Sequence, residues 1–147
     1  MKPLKAFVTA LDHPRIVEAI RAAEARSRGE VRVHVSEAAV EDVQAAAARR
    51  FEALGMTATR ERNGVLIYVA PRARRFAVIG DTGIHERCGD EFWRDVAVAM
   101  TGHFRAGRFT DGIVEAVAKA GDALARHFPR EDGRDDTNEL SDEVSED

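Results

Sequence analysis

Cysteine is almost missing from this sequence: Cys88 is the only one in 147 residues. A lone thiol cannot close an internal bridge, so packing must hold the fold, and a free thiol fits a reducing compartment. No apolar run approaches the roughly 18 residues of a membrane span. The opening Met1-Lys2-Pro3-Leu4-Lys5-Ala6-Phe7-Val8 is basic, but its apolar stretch is short and interrupted by Thr9, Asp12 and Pro14. It therefore lacks the continuous apolar region of a secretion signal. These absences point to a cytoplasmic protein without a membrane span. A basic excess is also missing, since the net charge is −4, which argues against a dedicated nucleic-acid binder. No serine–histidine–acid set, Walker loop, dinucleotide fingerprint or zinc pattern can be recognised.

What is present fits one soluble globular domain, with 44% apolar and 33% charged residues. A chain of this length buries roughly two-thirds of its unfolded surface without needing cross-links. Charge is unevenly spread. Residues 130–147 hold nine Asp/Glu against two Arg, a balance of −7, whereas the rest holds 20 Lys/Arg against 17 Asp/Glu, a balance of +3. Two regions follow: a body over residues 1–129, and an acidic tail over 130–147 that is too polar to offset its ordering entropy and is expected to be disordered. Asn138-Glu139-Leu140 is the stretch of that tail best suited to docking.

The body alternates helix and strand signals. Asp12-His13-Pro14 opens a helix, with a cap followed by proline in the first turn. Ile16, Val17, Ile20 and Ala23 form its stripe, and Gly29 is its expected stop. Glu30-Val31-Arg32-Val33-His34-Val35-Ser36 alternates strictly, as a strand with valines on one face. Residues 40–54 repeat Val43, Ala47, Phe51 and Leu54 at helix spacing before Gly55. Gly64-Val65-Leu66-Ile67-Tyr68-Val69-Ala70 is apolar throughout, as in a strand covered on both faces. The short link Pro71-Arg72-Ala73-Arg74 predicts an antiparallel return along Arg75-Phe76-Ala77-Val78-Ile79. Phe92, Val96, Met100 and Phe104 predict one further helix, and Ile113, Val117, Ala120 and Leu124 another. Gly112 and Gly121 within the last helix each cost up to about 1 kcal/mol, which close packing would justify. The fold class is thus α/β: a small mixed sheet of three to four strands sandwiched by helices, in the order α-β-α-β-β-α-α. The first two strands, joined through a helix, should be parallel by a right-handed crossover.

Several residues are candidates for chemistry. Gly80-Asp81-Thr82-Gly83 reads as a loop after the third strand, where ligand contacts are common. Asp81, Asp90 and Asp111 lie near glycine-bearing turns and would supply carboxylates to a hard cation such as calcium if the fold gathers them. The plainer reading has more weight on spacing alone: Asp81 stabilises a turn, Asp90 starts a helix beside Glu91, and Asp111 caps the last helix. Glu30, Arg32 and His34 share a strand face. A carboxylate and an imidazole there can do acid–base work, although such a row is more often a partly solvated face or a set of ion pairs. His85, Glu86 and Cys88 are close in sequence but lack the further ligands of structural zinc. Cys88 is better read as a small residue at a helix start than as a nucleophile. Asn63, before Gly64, either makes a turn or points its amide into a site.

The ordered motifs resemble the TPM domain family. Gly29-Glu30-Val31-Arg32-Val33-His34-Val35 is similar to its first strand. Arg62-Asn63-Gly64-Val65-Leu66 is similar to the start of its central strand. Gly83 followed by Asp90 resembles its glycine-to-aspartate turn, and Phe104-Arg105-Ala106-Gly107-Arg108-Phe109-Thr110-Asp111-Gly112 its closing helix–turn–helix. The likeness covers roughly residues 14–128 and implies a mixed sheet between helices. The family includes thylakoid-lumen proteins tied to photosystem II repair, an accessory protein of nematode acetylcholine receptors, and many bacterial proteins. Acid phosphatase activity has been proposed for the plant branch, and calcium is associated with some members. By this resemblance Asp81, Asp90 and Asp111 become candidate metal ligands, and Glu30, His34, Asn63, Gly83 and His85 candidate pocket residues. Two positions depart from the pattern. Arg62 stands where an acid is usual before Asn-Gly, and His85 stands where a glutamate is usual after the turn glycine. Both remove negative charge. The expected function is that of a binding or accessory domain with an unidentified protein partner and calcium as a candidate ligand. The alternatives are a metal-assisted phosphatase-type hydrolase and a scaffold whose acidic tail recruits the partner.

Overall fold

The computed structural model describes residues 11–37, 39–130 and 144–146. The first helix, α1 (His13–Ala25), starts as its sequence dictates: Asp12 caps it by accepting from the Arg15 amide, and Pro14 occupies the first turn. It ends at Arg26, ahead of Gly29. Gly29 answers a packing need instead, since a Cβ there would lie 2.5 Å from Leu124 Cδ2. Next come β1 (Glu30–Val35) and α2 (Val43–Ala53), the latter capped by Asp42 and followed by Gly55 at φ +73°. A one-turn 3₁₀ segment (Pro71–Ala73) joins β2 (Gly64–Ala70) to β3 (Arg75–Gly80). The body closes with α3 (Thr82–Arg105) and α4 (Phe109–His127).

The order α-β-α-β-β-α-α is as the sequence predicts. β1 runs parallel to β2, with Glu30 opposite Gly64 and Val35 opposite Val69. β2 runs antiparallel to β3, with Val65 opposite Gly80 and Ala70 opposite Arg75. A fourth strand, β4 (Ser145–Glu146), pairs parallel with β1, so the spatial order is β3-β2-β1-β4. The rest of the acidic tail, including Asn138, Glu139 and Leu140, lies outside the described residues apart from Arg130 and Val144.

Two cores sit on the two sheet faces. Val31, Val33 and Val35 of β1, with Val65, Ile67 and Val69 of β2, pack under α1, α3 and α4. Leu66, Tyr68 and Ala70 point the other way, onto Ala47, Phe51 and Met56 in and after α2. Each fully buried valine or leucine contributes about 1.5–3 kcal/mol. The two helical glycines fit as close-approach positions. A Cβ at Gly121 would lie 2.6 Å from that of Ala23, and one at Gly112 would lie 2.7 Å from the Phe104 ring.

Two local expectations are corrected. Gly80-Asp81-Thr82-Gly83 is not a loop: Gly80 ends β3, Asp81 caps α3, and Gly83 lies in the first helical turn. Cys88 is accordingly not at a helix start but just before Gly89, whose backbone (φ 76°, ψ 171°) kinks α3. The second face of β1 is mostly buried, with Arg32 alone partly exposed. Glu30 and His34 are buried there, with 4% and 1% of their surface exposed.

Candidate functional site

The start of β2, the end of β3 and the first turn of α3 meet at one corner of the sheet. Asp81 reaches it because its amide donates to the Gly64 carbonyl at 2.9 Å. Its carboxylate is buried and fully engaged. Arg62 Nε donates to Oδ2 at 2.7 Å and Arg62 Nη2 to Oδ1 at 2.9 Å, while the Thr82 amide also donates to Oδ1. This is a bidentate fork plus a helix cap on one side chain. Arg62 has a left-handed backbone, φ +52°, and its guanidinium is held in the charged form by the hydrogen bond to Asp81 and by that residue's charge.

Gly83 makes the corner possible. Its amide donates to the Arg62 carbonyl at 2.8 Å, and a Cβ there would lie 2.0 Å from the Glu61 carbonyl oxygen. Asn63, the next candidate, is buried. Its amide nitrogen donates to the Arg28 carbonyl and its backbone N–H to Thr59 Oγ1. Arg28 forks onto Glu61 at 2.9 and 3.0 Å. A cavity of about 240 Å³ opens beside this knot, lined by Phe51, Glu52, Thr57, Arg62, Asp81 and His85 among others.

His85 is half-exposed on the same helix. Trp93 Nε1 donates to its Nδ1 at 3.0 Å. An indole N–H can only donate, so in the neutral ring the proton sits on Nε2. That nitrogen faces Asp90 Oδ1 at 3.3 Å. Asp90 follows the Gly89 kink and is exposed.

Asp111 lies elsewhere, in the first turn of α4. It accepts from Arg15 Nη1 at 2.6 Å, and this bond above all holds its carboxyl below the ordinary value; burial opposes it, and the charges of Arg15, His103 and Arg108 add to it. Phe109, two residues before it, lines the same cavity as Val69 and Ala70, whereas Asp81 sits at Gly64. Asp81 and Asp111 are therefore at opposite ends of the seven-residue β2, about 20 Å apart by strand rise. The structure does not bring the three aspartates together. Each is paired with a different cationic or imidazole group, and among the described residues no group of three or more His, Cys, Asp or Glu is placed to hold a metal ion.

Glu30 and His34 lie on the α2 side of β1; Glu30 is opposite Gly64 at the start of β2, and its amide donates to the Asn63 carbonyl at 3.4 Å, whereas His34 lies further along, opposite Tyr68. His34 stacks on Tyr68 with ring centroids 5.6 Å apart, and its Nδ1 is 2.7 Å from Ser145 Oγ. A hydroxyl beside an imidazole is half of a nucleophilic relay. Here the hydroxyl belongs to a strand in register with His34, and it also lies within 3.4 Å of the Val33 carbonyl. The pair ties strand to strand. Burial pushes the Cys88 thiol up, partly opposed by the charge of Arg126, so thiolate chemistry is disfavoured.

Sequence reasoning missed Arg15, Trp93 and Ser145 as the partners of Asp111, His85 and His34. No local signal marks them, because each pair joins different elements or spans a kink.

A family model described as the TPM domain matches residues 5–123. Among solved structures, the chain is similar to the NMR structure of the BA42 protein from the psychrophilic bacterium Bizionia argentinensis. The two share 40% identity, with 92% of each chain covered and a TM-score of 0.83. No curated protein matches. With most of its length matched and the same architecture in a 40% identical protein, the chain belongs to the TPM domain family.

Proposed function

We propose that this domain is a non-catalytic binding or accessory module and not a metal-assisted phosphatase. The observation that carries this reading is the Arg62–Asp81 fork. Calcium takes about six to eight oxygen ligands. The buried acid at this corner instead gives both oxygens to a guanidinium and a helix amide. A cation arriving there would have to displace Arg62 and would meet its positive charge. His85, where a glutamate is usual, supplies no carboxylate, and Asp111 is at the other end of β2. The residues present therefore do not fit calcium at this corner. Two further groups are likewise engaged: the Ser145 hydroxyl in a strand contact, and the His85 ring between Trp93 and Asp90.

The test is a phosphomonoester assay on purified protein, together with thermal unfolding at increasing calcium. The expected result is no turnover above buffer and no calcium-dependent rise in Tm, since a ligand of the native state must raise it. Turnover that is abolished by Asp81→Asn or Asp90→Asn would overturn the reading.

A further inference from the structure

At the end of β2 far from Asp81, a cavity of about 610 Å³ opens between the β2–β3 turn and the α3–α4 corner. It reaches Val69 and Ala70, the last residues of β2. Ligands of open α/β sheets sit outside the carboxyl ends of parallel strands, and β1 and β2 are the parallel pair here. The volume lies in the range of small-molecule pockets.

The lining divides by chemistry. Phe76, Phe104 and Phe109 form an aromatic floor, with centroids 5.4 Å apart for Phe76–Phe104 and 5.3 Å for Phe104–Phe109. All three are half-buried. Arg74, Arg75 and Arg105 are exposed around it, and no Asp or Glu is among the described lining residues. Arg75 donates to the Glu41 carbonyl, a neutral partner. Arg74 and Arg105 make no ion pair or hydrogen bond through their side chains to any described residue, whereas the arginines at the Asp81 end are forked onto carboxylates. Arg74 also has a left-handed backbone, φ 54° and ψ 41°. Glycine would relax that conformation, yet a guanidinium occupies it at the cavity mouth. Three cationic groups around an aromatic floor, with no carboxylate among the described lining residues, give the cavity a positive mouth.

We infer that this cavity binds a small amphipathic anion, with an aromatic or branched apolar body on the phenyl rings and a carboxylate or phosphate head at Arg74 and Arg105. The inference rests on the binding reading above and names its ligand class. Guanidinium groups match both heads through paired N–H donors, and the rings supply apolar area and favourable ring–ring contact.

The experiment is an NMR titration of the full chain with four probes: 1-naphthoate, 1-naphthyl phosphate, neutral 1-naphthol and inorganic phosphate. Both aryl anions should saturate and shift the amides of Phe76, Thr101 and Arg105. Naphthol and inorganic phosphate, each lacking one half of the ligand, should bind about tenfold more weakly or worse. The double variant Arg74→Gln, Arg105→Gln should weaken naphthoate about tenfold and leave naphthol unchanged. The preferred head is the one that binds tighter. Naphthol binding as tightly as the anions, shifts that map elsewhere, no saturable shift, or unaltered naphthoate affinity in the double variant would each overturn the assignment. Naphthoate cannot be hydrolysed, so the two readings fail separately. Release of naphthol from the phosphate ester sinks the non-catalytic reading and leaves naphthoate binding standing. Failure of naphthoate to bind does the reverse.

Discussion

Gly83 has no side chain because there is no room for one. A methyl group there would meet the backbone oxygens of Glu61 and Arg62 at 2.0 and 2.7 Å, and backbone cannot swing aside as a flexible side chain can. Gly83→Ala should therefore destabilise the fold by about 3 kcal/mol, measured by urea denaturation; a variant as stable as the parent would show that the start of α3 shifts freely. Asp111 gives a pH dependence. Its folded-state carboxyl titrates below the ordinary aspartate value of 3.8, chiefly through the Arg15 hydrogen bond. The unfolded chain thus binds that proton more readily. The stabilisation is fully present above 3.8 and fades as pH falls through the lower folded value. Asp111→Asn should flatten this part of the acid limb in denaturation curves taken across that window. An unaltered limb would mean that the Arg15 pair contributes nothing.

At the scale of elements, β1 has two neighbours of different kinds. β2 holds it along its whole length, while β4 offers only Ser145 and Glu146, against His34 and Val35. An edge with unpaired N–H and C=O groups exchanges with water more readily than a covered one. Removing residues 144–147 should therefore speed hydrogen exchange in β1 while leaving β3, at the opposite edge, as it was. Equal exchange in both chains would show that β4 gives no protection. The helices were partly legible in advance. Periodicity located α1, α2, α4 and the second half of α3. The first half of α3 was hidden because Gly80, Gly83 and Gly89 fall within one short stretch and resemble a loop, although Gly83 is there for clearance and Gly89 for a kink.

For the molecule as a whole, β2 joins the two cores. Val65, Ile67 and Val69 belong to one, and Leu66, Tyr68 and Ala70 to the other. Neither can open without uncovering its neighbour's strand, so unfolding should be a single cooperative transition. Far-UV circular dichroism and the fluorescence of Trp93, the only tryptophan, should report the same midpoint. Separate midpoints would mean that the α2 layer melts on its own. The two ends of β2 also differ in chemistry, with carboxylates and guanidiniums paired around Asp81 and open arginines around the aromatic cavity.

The residue pattern alone determined the order α-β-α-β-β-α-α and the direction of three strands, but neither the start of α3 nor β4. Apolar spacing of two or near four is a property of neighbours along the chain, and a short link admits few geometries. Tertiary structure decided which charges meet. Asp81, Asp90 and Asp111 look equivalent in one dimension, but folding pairs them with Arg62, His85 and Arg15 and leaves the first and last at opposite ends of a strand. Coulombic partners are chosen by distance in space, and no local period encodes that distance.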